Sequence, residues 1–150
     1  MKDRSTAIVV SQEFMVPINT LWETISKAEK MNKWFFAGIL DFVPKTGFET
    51  SFVISPSERT FTHQWKLKEV IEMQRIVYDW RYKEYPGIGT VTMEIEETPK
   101  GSRITVTNTG LESFPEDIPE FAWESCKGGW EFFIQGNLLK YLNGEHVDPV

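Results

Sequence analysis

The sequence predicts an α+β domain: a curved antiparallel sheet of about seven strands, covered on one side by helices, the longest of which comes last. Three observations predict it. Apolar residues recur at a period of two from Ile39 to Thr109, at spacings of three and four from Phe121 to Leu142, and in a strand-then-helix order at the start of the chain. The 150 residues are 41% hydrophobic and include six tryptophans, enough for the core of one domain spanning residues 1–150.

Ile8 to Met15 alternates β-branched and aromatic residues and reads as a strand ending before Pro17. Pro17 opens a helix, where its missing amide costs nothing. Ile18, Leu21, Trp22 and Ile25 form the apolar face of that helix. Ala28, Met31, Trp34 and Phe35 continue at helical spacing after a break near Ser26, so two short helices are expected. Ile39 to Val43 and Phe48 to Ile54 are expected as a hairpin around Pro44-Lys45-Thr46-Gly47. Phe61 to Glu72 sets Trp65, Leu67, Glu69 and Ile71 against Lys66, Lys68 and Val70. Ile76, Tyr78, Trp80 and Tyr82 do the same against Val77, Asp79 and Arg81. Pro86-Gly87-Ile88-Gly89 is expected as the turn into the strand of Val91, Met93 and Ile95. Pro99-Lys100-Gly101-Ser102 leads into that of Ile104 and Val106.

The last segment carries Trp123, Cys126, Trp130, Phe133, Ile134, Leu138, Tyr141 and Leu142 on one wide apolar stripe. From Pro119 to Leu142 a helix would run about 36 Å. Gly128 and Gly129 interrupt it, which makes sense where a backbone closely approaches the sheet or a ligand. Asp117-Ile118-Pro119-Glu120 is expected as the capping box of this helix. A helix laid across the concave face of a twisted sheet leaves space between the two layers, and that space is the candidate site. Phe52, Trp65, Tyr78, Trp80, Trp123, Trp130 and Phe133 are the residues expected to face it, with Trp80 and Trp130 opposite each other.

Chemistry beyond binding finds little support in the residues. Sixteen basic against twenty-two acidic residues give a net charge of −6, which disfavours nucleic acid and anionic membranes as partners. No apolar run reaches membrane-spanning length and the first residues lack a signal-peptide pattern, so a cytoplasmic protein without membrane insertion is expected. Cys126 is the only cysteine, read as a buried inert thiol on the helix stripe. His63 and His146 are the only histidines; surface or core-edge positions are expected for both, and no metal site or triad can be assembled. Asp79 and Arg81 could pair on the solvent face of their strand. No nucleophile, cofactor motif or acid–base pair emerges, so the domain is expected to be non-enzymatic, without cofactor or metal.

The spacing of Pro17, Trp22 and Trp34 resembles the pattern that opens many START-like (Bet v 1-like, SRPBCC) domains. Ile76-Val77-Tyr78-Asp79-Trp80 is similar to a strand of that superfamily. Gly101-Ser102-Arg103-Ile104-Thr105-Val106-Thr107-Asn108-Thr109-Gly110 is similar to another, and Gly129-Trp130 followed by Ile134, Leu138, Tyr141 and Leu142 to its last helix. The likeness spans roughly Ile8 to Leu142 and looks closest to the branch of the C-terminal domain of the heat-shock-protein-90 ATPase activators. Two positions depart from the pattern: Phe42 to Glu49 has only Gly47 where many relatives have paired glycines, and Asn108 stands where a histidine is common. The resemblance implies the helix-grip fold. It implies three kinds of function: a cavity for a small apolar or amphipathic ligand, a cochaperone-like interaction with a chaperone partner, or a cyclase or aromatase activity.

Overall fold

A computed structural model describes residues 3–150. Six strands form one antiparallel sheet in the order β1-β6-β5-β4-β3-β2: β1 Ile8–Phe14, β2 Glu49–Ile54, β3 Phe61–Ile71, β4 Arg75–Tyr82, β5 Tyr85–Thr98 and β6 Gly101–Thr109. From β2 to β6 each strand pairs with its successor, and β1 closes onto β6 from the start of the chain. Helices α1 (Ile18–Ser26) and α2 (Ala28–Trp34) follow β1. The C-terminal helix has three sections, Trp123–Glu131, a π-helical Phe132–Leu138 and a last turn Leu139–Leu142. This is the predicted helix-grip α+β architecture with six strands in place of seven.

The missing strand is Ile39–Val43. Its inward side chains, Ile39 and Phe42, are three apart rather than two, and Leu40 between them is 91% exposed. The segment therefore runs as an irregular plug whose two apolar residues enter the core, with the Asn32 side-chain amide donating to the Ile39 carbonyl in place of a ladder partner. Within β3 the register shifts between Leu67 and Glu69, so Val70 rather than Ile71 packs against the core.

Pro86–Gly89 is not a turn. β4 and β5 are joined at Lys83–Glu84, with Tyr82 opposite Tyr85. The Pro86–Gly89 segment lies inside β5 beside a bulge. At Gly87 φ is 118°, and an added Cβ would sit 2.6 Å from the Phe114 ring and 2.7 Å from the Ser113 carbonyl, so only glycine fits.

The last helix is also built differently from expectation. A short 3₁₀ turn, Pro119–Phe121, precedes it, and Ala122 in extended conformation is its N-cap, without a side-chain cap. No capping box forms, because the Glu120 carboxylate lies 3.2 Å from the Arg59 guanidinium instead. Asp79 likewise pairs across strands with Lys68, at 3.6 Å, rather than with Arg81 two residues along.

The core lies between the concave face of the sheet and the three helices. Much of it is aromatic: Trp34 stacks on Phe35 at 4.7 Å, Phe35 on Trp65 at 5.6 Å, and Trp65 meets Phe52 at 4.8 Å and Tyr78 at 5.2 Å. No helix among the described residues is long and apolar enough to cross a membrane.

Candidate ligand site

The aromatic packing fills one half of the space under the C-terminal helix and stops short of the other. Between the first section of that helix, the 3₁₀ turns and the ends of β3 to β6 lies a cavity of about 180 Å³. Phe36, Trp80, Leu111, Phe114, Phe121, Trp130 and Phe133 make its apolar walls, and His63, Tyr82, Asn108, Glu120 and Cys126 bring polar groups to it. Gly89 and Gly129 complete the lining. A Cβ at Gly129 would meet no atom within 4 Å. Gly129 and the short Cys126 leave unfilled what larger side chains would occupy, whereas a Cβ at Gly89 would meet the Thr109 carbonyl at 3.3 Å and the Phe114 ring at 3.4 Å.

Of the residues expected to face the central space, Trp80, Trp130 and Phe133 line this cavity. Trp80 and Trp130 do face each other, but in edge-to-face contact at 5.6 Å, so the space lies beside the pair and not between them. Phe52, Trp65 and Tyr78 are in the filled half, 5%, 1% and 0% exposed. Trp123 points the other way, donating from Nε1 to the Thr6 carbonyl at 3.0 Å on the β1 side. Gly129 faces the cavity and not the sheet, so of the two alternatives for the helix glycines, close approach to the sheet or to a ligand, the structure excludes the first at this position.

His63 is buried, not at the surface. Its ring is stacked on Phe52 at 4.8 Å and lies 4.9 Å from Tyr82 and 5.0 Å from Phe36. Burial lowers its pKa to about 4, against the smaller opposing pull of the Phe61 carbonyl and Glu84. At neutral pH the imidazole is therefore uncharged, and the contact of Nδ1 with the Phe61 carbonyl at 3.1 Å requires the proton on Nδ1. Nε2 is left as a bare acceptor. The Trp80 indole donates to the Tyr82 hydroxyl oxygen at 2.9 Å. Burial raises the Tyr82 pKa, so that hydroxyl keeps its own hydrogen. The Trp130 indole donates to Asn108 Oδ1 at 3.1 Å, which pins the helix to the inner face of β6. Burial pushes the Cys126 thiol up to about 11, with Arg4 pulling the other way, and the thiol donates to the Glu120 carbonyl, consistent with the unreactive thiol expected.

The polar wall residues carried a signal in the sequence. His63 lies in the alternation Phe61, His63, Trp65, and Asn108 extends Ile104 and Val106, so each is a polar group on an otherwise apolar inward face. Leu111 and Phe114 sit in a single turn or beside it, and Phe36 just after α2; no periodicity marks these three, and Phe121, read as the start of the helical stripe, lies in the 3₁₀ turn before it.

The sequence profile described as Activator of Hsp90 ATPase homolog 1-like protein matches residues 15–143. The chain belongs to this family. No curated protein sequence matches this chain. Solved structures do. DynU16, a protein of the dynemicin biosynthetic locus, is similar with a TM-score of 0.76 at 18% identity, over 99% of this chain and 52% of that one, so this chain spans about half its length. A Chromobacterium violaceum protein, CV1439, is similar with a TM-score of 0.71 at 17% identity, over 91% of this chain and 96% of that one. A Staphylococcus saprophyticus protein, SSP2350, gives 0.70 at 18%, over 97% and 98%. At these identities the likeness is one of fold.

Among the described residues no group of three or more His, Cys, Asp or Glu side chains is placed to hold a metal ion.

Proposed function

We propose that this domain is a non-enzymatic binding module that holds a small, mainly apolar ligand in the cavity beneath the C-terminal helix. The observation that carries the reading is the cavity itself: about 180 Å³ with aromatic walls and a few converging polar groups. An engineered apolar cavity of about 150 Å³ accepts benzene, so this volume suits one ring with a small substituent. Catalysis has less support from the same groups. The Tyr82 and Cys126 protons are held by burial, and the His63 imidazole, with its pKa near 4, is a weak base.

Toluene titrated into ¹⁵N-labelled protein tests the proposal. The indole N–H signals of Trp80 and Trp130 are expected to shift together and saturably, while the amides of Glu112, Glu116 and Asp117 stay still. Unmoved indole signals up to the solubility limit of toluene would overturn it. The family match supports a second reading, in which the domain engages an Hsp90-type chaperone through its surface. That reading makes no demand on the cavity. Binding of such a chaperone by a domain that ignores toluene would favour it.

A further inference from the structure

The cavity wall contains two polar atoms that the protein leaves half-used, and they are complementary. Tyr82 accepts from the Trp80 indole at 2.9 Å, which uses its oxygen, but its hydroxyl hydrogen has no acceptor among the described residues. His63 uses Nδ1 on the Phe61 carbonyl at 3.1 Å, and its Nε2 lone pair has no donor among the described residues. The two rings are neighbours, their centroids 4.9 Å apart and edge to face, and both line the cavity. A free donor beside a free acceptor in one apolar cavity wall therefore describes the group that would complete them.

Resting on the binding reading above, we propose that the ligand is a neutral hydroxylated ring compound, phenol-like, whose single hydroxyl accepts from Tyr82 and donates to His63. A hydroxyl is both donor and acceptor on one atom, which a carboxylate, an ether or a bare hydrocarbon is not. Charge points the same way. The one ionised group in the wall is Glu120, an anion already engaged by Arg59 at 3.2 Å, so an anionic ligand meets repulsion and no cation in the wall. The nearby Arg4 is not part of the lining and gives Nη2 to the Phe114 carbonyl at 2.8 Å, while its Nη1 is buried without a partner. Arg4 is therefore the group an acid would have to recruit.

Three probes of one shape separate the outcomes: toluene, p-cresol and p-toluate, titrated by NMR into the full chain at pH 7. The expected result is that p-cresol binds about tenfold more tightly than toluene, the scale of one to two net hydrogen bonds, and that p-toluate binds more weakly than either. In Tyr82→Phe, which removes one oxygen and leaves the bond to His63, the p-cresol to toluene affinity ratio is expected to fall from about ten to about three. Equal affinities for toluene and p-cresol in the native protein would overturn this inference and leave the apolar cavity standing. Tighter binding of p-toluate would overturn it in favour of an acid held by Arg4. Failure of all three probes would overturn both readings. Should Tyr82→Phe not fold, the ranking of the three probes on the native protein decides alone.

Discussion

Replacing Gly128 and Gly129 with alanine should stabilise this protein, the opposite of what a helix pressed onto a sheet at these residues would show. Both glycines lie inside the helical section Trp123–Glu131, and a Cβ built on either meets no atom within 4 Å. With no contact to disturb, what remains is the intrinsic preference of a helix interior for alanine, about 0.8–1.0 kcal/mol per site. The double variant should gain about 2 kcal/mol, and at roughly 2–4 °C per kcal/mol for a chain of this size the melting temperature should rise by about 4–8 °C. Thermal unfolding by circular dichroism, with urea midpoints as a second measure, reads this directly. Gly87→Ala is the internal contrast. There φ is 118° and the new methyl would lie 2.6 Å from the Phe114 ring, so the same change should destabilise. A fall in melting temperature for Gly129→Ala would mean that the helix face at Gly129 is covered, and that the open cavity space beside it is absent.

Two further predictions test the polar wall. The depressed pKa of His63, about 4 against 6.5, means that the unfolded state takes up a proton between those values while the folded state does not. Stability should therefore be full above pH 6.5 and fall as the pH drops to about 4, by about 3 kcal/mol. A His63→Gln variant should lack that slope in urea titrations run across the window, and a ring that titrates near pH 6.5 by NMR would contradict it. Asn108→Ala should cost about 1–3 kcal/mol, because it strips the acceptor from the Trp130 indole. The same change in a Trp130→Phe background should cost clearly less, and an equal penalty in the two backgrounds would show that the bond does not matter.

Much of this fold was legible because period-two and helical patterns are long in this chain, although the strands resume at Glu49 and not at Ile39, and the last helix starts at Trp123 and not at Pro119. What misled was local. The proline and glycines of Pro86–Gly89 read as a turn, yet they serve a bulged strand that must let Phe114 approach. Ile39 and Phe42 read as strand, yet their spacing of three marks a plug. Register alone could not show where the aromatic filling ends. Trp65 and Trp80 are directly opposed on adjacent strands, and one lies in solid core while the other walls a void. That difference is set by what surrounds each of them: Phe35 at the end of α2 and Phe52 on β2 crowd Trp65, whereas Gly129 and Cys126 leave room near Trp80.

The most direct test of the ligand reading is where a bound ring sits. Intermolecular nuclear Overhauser effects from the methyl group of p-cresol are expected to the Leu111 methyls and to the rings of Trp80, Trp130 and Phe133, all of which line the cavity. Effects confined to exposed residues such as Val53 and Leu40, with none to those four, would contradict an internal site.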